Sequence, residues 1–217
     1  MFVLENIKYK NILDISELVI PQGKVTCLVG ESGSGKTTLL KHLNKMISPD
    51  EGKINYRDKD IGSFNPVDLR REVIMLPQNP VIFPGSIREN LLTGLNFAEK
   101  SIPGDEELYD VLKSMKLNKG LEEDAAVLSG GEKQRLAICR IMLMLPEVLL
   151  LDEPTSALDD ETEEIAIKEV ISKVRMNGKT VVLVTHSAEI AERFGEIIIK
   201  IRDGQVVNRK EATLNHE

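Results

Sequence analysis

The hydrophobic and polar positions along the chain alternate between short apolar runs and segments with helical spacing. Residues 25–29, 148–151 and 180–184 are almost continuously apolar, which is typical of strands buried on both faces of a parallel sheet. Residues 160–176 place apolar side chains at i, i+3, i+4 and i+7 and are followed by Gly178, which indicates an amphipathic helix and its end. The alternation predicts an α/β fold with a mostly parallel sheet.

Two other regions depart from this alternation. Residues 3–8 and 16–20 predict an opening hairpin, and residues 52–56 begin another edge hairpin, so we expect an antiparallel β subdomain at the N-terminus. Residues 77–128 are punctuated by prolines and glycines between short helical pieces, with no clear strand. With the following helix, to about residue 145, they predict an inserted helical subdomain within a single domain spanning 1–217.

Composition narrows the class of protein. The 217 residues are 41% hydrophobic, enough for a sizeable core. The net charge is −7 without long basic runs, so nucleic acid is not an expected partner. Cys27 and Cys139 lack metal-ligand spacing and are predicted to be buried. Residues 1–6 lack the basic and then apolar pattern of a secretory signal, so none is expected, and no apolar stretch reaches about 20 residues. We therefore expect a cytoplasmic protein, or one that is peripheral on the cytosolic face of the cell membrane.

A glycine-rich loop follows the first buried strand and leads into a helix, which is the context of a P-loop for a nucleotide triphosphate. Glycines allow backbone N–H groups to turn toward a phosphate, and the helix presents its positive end to the same anion. Lys36 is predicted to reach the β- and γ-phosphates, and the Thr37 hydroxyl to ligate Mg²⁺. The predicted loop consists of Gly30, Glu31, Ser32, Gly33, Ser34, Gly35, Lys36 and Thr37, followed by Thr38.

Two carboxylates follow the buried strand at 148–151. Asp152 and Glu153 stand at its carboxyl end, where ligands bind in open α/β sheets. Asp152 suits the Mg²⁺ of the P-loop, and Glu153 is placed to orient or deprotonate a water that attacks the γ-phosphorus. An isolated Asp-Glu pair could simply cap a loop, and the P-loop upstream favours the catalytic interpretation.

Leu128-Ser129-Gly130-Gly131-Glu132 resembles the signature motif of ABC (ATP-binding cassette) ATPases. A serine and glycines at a helix N-terminus offer exposed N–H groups to an anion. The resemblance covers the chain from end to end. It implies that two ATPase copies, identical or homologous, pair head to tail, and that this motif of one copy contacts the γ-phosphate held by the other.

Further positions take their roles from the same resemblance. Gln78 resembles the Q-loop glutamine, which touches Mg²⁺ and the attacking water, and Asp159 lies in a segment similar to the D-loop at the dimer interface. His186 resembles the switch histidine that contacts the γ-phosphate, and Tyr9 resembles the aromatic residue that stacks on adenine. Lys36, Gln78, Glu153 and His186 are thus the predicted catalytic residues. Taken alone, Gln78 could be an ordinary loop residue, Asp159 a helix cap, and His186 or Tyr9 structural.

The resemblance implies an ATP-hydrolysing motor subunit that couples dimer closure to separate integral membrane permease subunits. The alternative is an ABC ATPase of the repair or translation type with no membrane partner. A non-hydrolysing binding module is disfavoured by the complete set of catalytic residues. A metal or iron exporter is the nearest subfamily we can suggest, with phosphate import second. Three polar residues of the signature helix are expected to be solvated or to lie at an interface: Gln134, Arg135 and Arg140.

Overall fold

The structure is a computed structural model that describes residues 1–211, apart from the side chains of residues 160 and 161. Two sheets and seven α-helices make up this part of the chain. The strands are Phe2–Tyr9 (β1), Leu13–Ile20 (β2), Val25–Val29 (β3), Glu51–Tyr56 (β4), Lys59–Asp60 (β5), Val73–Leu76 (β6), Val148–Asp152 (β7), Thr180–Val184 (β8), Ile197–Arg202 (β9) and Gln205–Glu211 (β10). The helices are Lys36–Leu43 (α1), Pro66–Glu72 (α2), Ile87–Phe97 (α3), Asp105–Ser114 (α4), Gly130–Met144 (α5), Asp160–Met176 (α6) and Ala188–Phe194 (α7).

The larger sheet has the strand order β10-β9-β3-β8-β7-β6. All neighbouring strands in it are parallel except β9 and β10, which form an antiparallel terminal hairpin. Every residue of β7 and β8 is buried, because helices cover both faces of the sheet. The predicted mostly parallel α/β core is confirmed.

The smaller sheet is antiparallel, with the order β2-β1-β4-β5. Phe2, Leu4 and Ile7 of β1 are buried, and the alternation is interrupted by an irregularity between Glu5 and Lys8. The three buried side chains pack with α1 and one face of the larger sheet in a single hydrophobic cluster. The antiparallel N-terminal subdomain is therefore present, and its core is continuous with the face of the sheet that carries the P-loop helix.

Three helices occupy the region predicted to be helical. Between residues 77 and 145 the structure has α3, α4 and α5 and no named strand, only an isolated bridge between Ser86 and Asp124. The start of α3 carries a capping box formed by Ser86 and Glu89, which satisfies two backbone N–H groups. These helices pack on the second hydrophobic cluster, shared with α6 and the opposite face of the sheet.

The sequence pattern did not predict the short helix α2. It starts with an Asn65 cap and Pro66, and only Leu69 of its residues is buried. One buried side chain gives almost no periodic signal. Within residues 1–211, no helix has the length and apolar character needed to cross a bilayer.

Candidate active site

The predicted site residues meet at one edge of the larger sheet. Four neighbouring parallel strands, β3, β8, β7 and β6, end at this edge. The P-loop follows β3, His186 follows β8, Asp152 and Glu153 end β7, and Gln78 follows β6. Chain segments that are more than 100 residues apart in sequence therefore contribute to one site.

The P-loop turns tightly beneath neighbouring backbone. Gly30 has φ of 152°, and a Cβ there would lie 2.1 Å from the Ile201 carbonyl oxygen. Gly35 has φ of 102°, and its Cβ would meet the Leu13 side chain at 2.7 Å. Both positions require glycine. Helix α1 starts directly after Gly35, so its N-terminal N–H groups face the loop.

Lys36 is folded back into the loop. Its ammonium donates to the Gly30 carbonyl at 2.8 Å and to the Glu31 carbonyl at 2.7 Å, and lies 3.4 Å from Ser34 Oγ. The residue is only 4% exposed. Burial lowers the pKa of Lys36, while Glu153 and Asp152 oppose that shift. A buried ammonium that is bonded to neutral carbonyls forms stronger, charge-assisted hydrogen bonds when phosphate oxygens replace those carbonyls.

Thr37 and Asp152 are joined across the site. The Thr37 hydroxyl donates to Asp152 Oδ1 at 2.9 Å. Asp152 is 4% exposed, and burial raises its pKa, with the Thr37 hydrogen bond acting in the opposite direction. A hydroxyl and a carboxylate are the hard oxygen ligands that Mg²⁺ prefers. A partly desolvated carboxylate is also stabilised by an added cation, so this pair fits the predicted metal.

Glu153 is held at both carboxylate oxygens. Gln78 Nε2 donates to its Oε2 at 2.8 Å, and His186 Nε2 lies 2.6 Å from its Oε1. The side chain of Glu153 is 20% exposed and that of His186 is 48% exposed. The three predicted residues therefore form one hydrogen-bonded group that water can reach.

The backbone of Glu153 has an uncommon conformation. Its φ is 47°, a left-handed region that non-glycine residues seldom occupy and that costs on the order of 1–3 kcal/mol. The Glu153 N–H donates to the Val184 carbonyl at 3.1 Å, which ties the turn to the end of β8. This conformation turns the chain away from β7, and nothing in the sequence pattern predicted it.

Tyr9 lies at the end of β1 against α1. Its ring centroid is 4.8 Å from that of His42, with the planes at 80°. The ammonium of Lys10 lies 5.0 Å from the Tyr9 centroid. Tyr9 is half-buried beside the helix that begins at the P-loop, a position from which a ring can reach a base whose phosphates lie in that loop.

The signature residues form the N-terminus of α5. Ser129 caps the helix, and its hydroxyl accepts from the Glu132 N–H while Glu132 Oε2 accepts from the Ser129 N–H at 2.8 Å. The Ser129 N–H lowers the pKa of Glu132, and Lys119 at 3.3 Å adds to this. Ser129 and Gly130 are exposed. A capped 15-residue helix thus presents its positive end to solvent.

The D-loop-like segment lies beside the signature. A Cβ at Gly131 would approach the Ala157 carbonyl at 3.2 Å, which favours glycine there. Asp159 caps α6 through the Thr162 N–H at 3.0 Å, and this bond lowers the pKa of Asp159. The Gln134 amide donates to the Pro154 carbonyl. The signature helix is therefore linked directly to the segment that follows Glu153.

Gln134 of α5 was wrongly predicted to be solvated or at an interface, and Arg140 is partly buried. Gln134 is 2% exposed and bonded as described above. Arg140 donates to the Asn90 carbonyl at 2.8 Å, to Asn90 Oδ1 at 2.9 Å and to the Val81 carbonyl at 2.9 Å. Burial lowers the pKa of Arg140 to about 10. Asn90, which the sequence did not single out, is fully buried and also bonds both backbone groups of Phe83.

An apolar groove lies between β6, α2 and the helical region. Its volume is about 620 Å³. Phe97 at its rim is 72% exposed, and Val67 and Val81 are 55% and 61% exposed. Arg70 and Arg71 add positive charge, and Arg140 stacks over Phe83 with 4.9 Å between the guanidinium carbon and the ring centroid. The groove is adjacent to Pro77 and so to the Gln78 loop.

The fold and the assembled P-loop, Asp152 and Glu153 define a P-loop NTPase. Comparison with known proteins identifies the family, because the ABC transporter profile matches residues 13–156. The chain belongs to the ABC transporter family and is an ATP-binding cassette of that family.

Relatives support the same assignment. ABC transporter I family member 17 of Arabidopsis thaliana is 38% identical over 91% of this chain and 75% of its own length. Protein STAR1 of Oryza sativa subsp. japonica is 36% identical over 88% of this chain. The chain spans only 55% of STAR1, and 28% of the lactococcin-A transport/processing ATP-binding protein LcnC of Lactococcus lactis.

Solved structures share the fold throughout. The ATP-binding cassette MJ0796, in a dimeric post-hydrolysis state bound to ADP and Pi, has a TM-score of 0.84 at 30% identity, covering 97% of this chain and 98% of that one. A bacterial Atm1-family ABC exporter with ATP bound also has a TM-score of 0.84, at 26% identity, with 97% of this chain matching 38% of the exporter chain.

Proposed function

We propose that this chain binds ATP with Mg²⁺ and hydrolyses it to ADP and phosphate. The observation that carries the proposal is the position of Glu153, whose carboxylate is held by Gln78 and His186 at the strand edge where the P-loop also ends. The capture of MJ0796 with ADP and Pi supports hydrolysis by the same fold.

ATP is bound by the P-loop and Tyr9. Lys36 exchanges its contacts with the Gly30 and Glu31 carbonyls for the β- and γ-phosphates. Backbone N–H groups from Ser32 to Thr38 and the α1 terminus surround the phosphates. Tyr9 stacks on the adenine from its place beside α1.

Thr37 and Asp152 would hold Mg²⁺. The Gln78 side-chain oxygen would be a third ligand, since the Gln78 amide nitrogen is the atom that donates to Glu153. When bound, the ion neutralises charge that develops on the phosphate oxygens. The Thr37 hydroxyl can keep donating to Asp152 while a lone pair on its oxygen is offered to the ion.

Glu153 accepts hydrogen bonds in this arrangement, and it acts on the attacking water. Its carboxylate orients that water and takes one of its protons as the oxygen approaches the γ-phosphorus. Without nucleotide, His186 and Gln78 fix the direction of the carboxylate oxygens. When ATP is bound, the Nε2–H of His186 exchanges Glu153 Oε1 for the γ-phosphate, which leaves that carboxylate oxygen free to accept from the water. The left-handed backbone at Glu153 holds the side chain at the mouth of the site.

A second copy, or a homologous ATPase, completes the site. Ser129, Gly130, Gly131 and Glu132 face solvent or the Ala157 segment at the start of α5. The Ser129 and Glu132 N–H groups are used in the capping box, so the N–H groups of Gly130 and Gly131 and the Ser129 hydroxyl take the γ-phosphate of the opposite copy. Asp159 and its neighbours cross the interface. The dimers of MJ0796 are consistent with this pairing.

We further propose that the cassette drives separate integral membrane permease subunits from the cytosolic face of the membrane. The apolar groove supports this, because Phe97, Val67 and Val81 are exposed together on one surface, as expected of an interaction site. In this proposal residues 1–217 form one ATPase domain, and residues from about 77 to 145 form the helical subdomain that contacts the permease.

Phosphate release from Mg-ATP tests the enzymatic part. The purified wild type should release phosphate, and chelation of the metal by EDTA should reduce the release to background. Asp152→Ala should do the same at saturating Mg²⁺. Wild-type protein that binds neither ATP nor Mg-ATP would overturn the proposal.

Co-purification from detergent-solubilised membranes tests the permease part. The tagged wild type should retain integral membrane subunits, and Phe97→Asp should lose them. Met176→Asp is the matched control, because Met176 is 80% exposed at the far end of α6. Equal retention by both variants would contradict docking at the groove.

A further inference from the structure

His42 connects Tyr9 to the phosphate-binding helix. It lies in α1 and is fully buried. Its Nδ1 is 2.8 Å from the Thr38 carbonyl, one helical turn toward the P-loop. Because a carbonyl only accepts, Nδ1 carries the hydrogen and donates it. This bond fixes both the tautomer and the orientation of the imidazole.

The His42 ring also contacts Tyr9. The two rings meet edge to face, with 4.8 Å between centroids and 80° between planes. Such pairs favour one relative orientation over others. Tyr9 has only partial burial to restrain it, so the fixed imidazole behind it sets the direction in which its ring points.

We propose that His42 is a positioning residue for the nucleotide base. It holds the Tyr9 ring in the plane that stacks on adenine, and it ties that ring to the helical turn carrying Thr37 and Thr38. The base contact and the phosphate contact then belong to one rigid unit. This inference rests on the proposed function, in which Tyr9 contacts adenine.

Burial favours the neutral form of the His42 imidazole. It lowers the pKa of His42, although the backbone groups of Thr38 and Ser48 and the charge of Asp50 oppose the shift. A neutral ring can keep the single Nδ1–H bond to Thr38 at physiological pH.

A double-mutant cycle between Tyr9 and His42 tests the proposal. Binding of ATP and of inorganic tripolyphosphate, which has no base, is measured by calorimetry for wild type, Tyr9→Leu, His42→Leu and the double variant. Since aromatic pairs are worth about 0.5–1.5 kcal/mol, His42→Leu should weaken ATP binding by roughly 2- to 12-fold. Tripolyphosphate binding should be unchanged, and His42→Leu should have no further effect when Tyr9 is already Leu.

The outcomes separate this inference from the proposed function. If Tyr9→Leu leaves ATP affinity unchanged, the assignment of Tyr9 to adenine fails. If Tyr9→Leu weakens ATP binding and His42→Leu does not, or if His42→Leu weakens tripolyphosphate binding equally, the positioning role is overturned.

Two further variants keep the test decisive if His42→Leu does not fold. His42→Phe keeps an aromatic edge against Tyr9 without the Thr38 bond, and His42→Asn keeps a donor without the ring. The ATP affinity of His42→Phe should be closer to that of wild type than the ATP affinity of His42→Asn is. Both variants should bind tripolyphosphate as wild type does. The reverse order would contradict the proposal.

Discussion

His186 Nε2 lies 2.6 Å from Glu153 Oε1, across the ends of the adjacent strands β8 and β7. The contact joins a residue that is proposed to touch the γ-phosphate to one that is proposed to act on water. Gln78 occupies the other carboxylate oxygen. The direction of the Glu153 carboxylate therefore depends on two loops that follow separate strands.

Replacing His186 by Ala should lower kcat by about 100-fold or more with a smaller change in KM. The loss removes a γ-phosphate donor and one of the two groups that orient Glu153, and both act mainly in the transition state. Steady-state phosphate release measures it. Glu189→Gln, an exposed change three residues away on α7, should match wild type, and an active His186→Ala protein would refute the role.

Lys36→Ala should weaken ATP binding tenfold or more. The ammonium is buried beside carbonyls that phosphate would replace, and a charge-assisted contact of this kind is worth about 1.5–3 kcal/mol. Calorimetric titration with Mg-ATP is the measurement. Lys24→Ala, at the opposite end of β3 where Lys24 is exposed, is the control. Equal affinities for the two variants would exclude Lys36 from the phosphate site.

Asp152→Asn should raise the melting temperature of the protein without nucleotide at neutral pH. Burial raises the pKa of Asp152 above its ordinary value of 3.8, so the folded state holds this proton more tightly than the unfolded state does. Stability from this group is therefore lost as pH rises through the folded pKa. Each kcal/mol added to the free energy of unfolding raises the melting temperature by roughly 2–4 °C for a chain of this size.

The difference in melting temperature between Asp152→Asn and wild type should become smaller as the pH falls, because the wild-type carboxyl group then becomes protonated. Thermal melts from pH 8 down toward pH 3.8, the ordinary pKa of Asp152, measure this. In the presence of Mg-ATP the order should reverse, since the wild type alone keeps the carboxylate ligand. A variant less stable than wild type at every pH without nucleotide would show that the Thr37 bond outweighs the burial cost.

ATP, and not ADP, should drive dimer formation. The γ-phosphate is the group that joins Lys36 of one copy to Ser129 and Gly131 of the other, so ADP lacks the link. Analytical ultracentrifugation of Glu153→Gln at saturating Mg-ATP should show a dimer, which Ser129→Ala should weaken. Persistent monomer over a wide concentration range would contradict the two-copy site.

Much of the fold could be predicted from local pattern. Helix α6 and strand β8 have the predicted bounds, 160–176 and 180–184, because amphipathic spacing, a buried apolar run and a glycine stop are each encoded within a few residues. The short helix α2 has one buried residue, Leu69, and was missed. Its Asn65 cap and Pro66 were the available signals.

The site was predictable in its residues and less so in its contacts. The P-loop and the Asp152-Glu153 pair follow from strand ends, whose convergence is a property of any parallel sheet. The left-handed backbone of Glu153, the His42–Tyr9 contact and the burial of Arg140 against Asn90 depend on packing between distant segments. From a single sequence, a polar or charged helix residue that is exposed to solvent cannot be distinguished from one whose side chain is buried and hydrogen-bonded.

The central claim is that Glu153 acts on water and not on ATP binding. Glu153→Gln keeps the shape of the side chain and removes its charge, and general-base contributions are about 10²- to 10⁴-fold. We expect single-turnover hydrolysis to fall by at least 100-fold while the ATP dissociation constant changes less than about threefold.

Glu164→Gln, which removes an exposed carboxylate paired with Arg193 at 2.8 Å, controls for loss of charge alone and should hydrolyse ATP like wild type. The direct measurement is the rate of conversion of bound radiolabelled ATP to ADP in the two variants side by side. The account predicts full retention of uncleaved ATP by Glu153→Gln and normal turnover by Glu164→Gln. Near-wild-type cleavage by Glu153→Gln would contradict it.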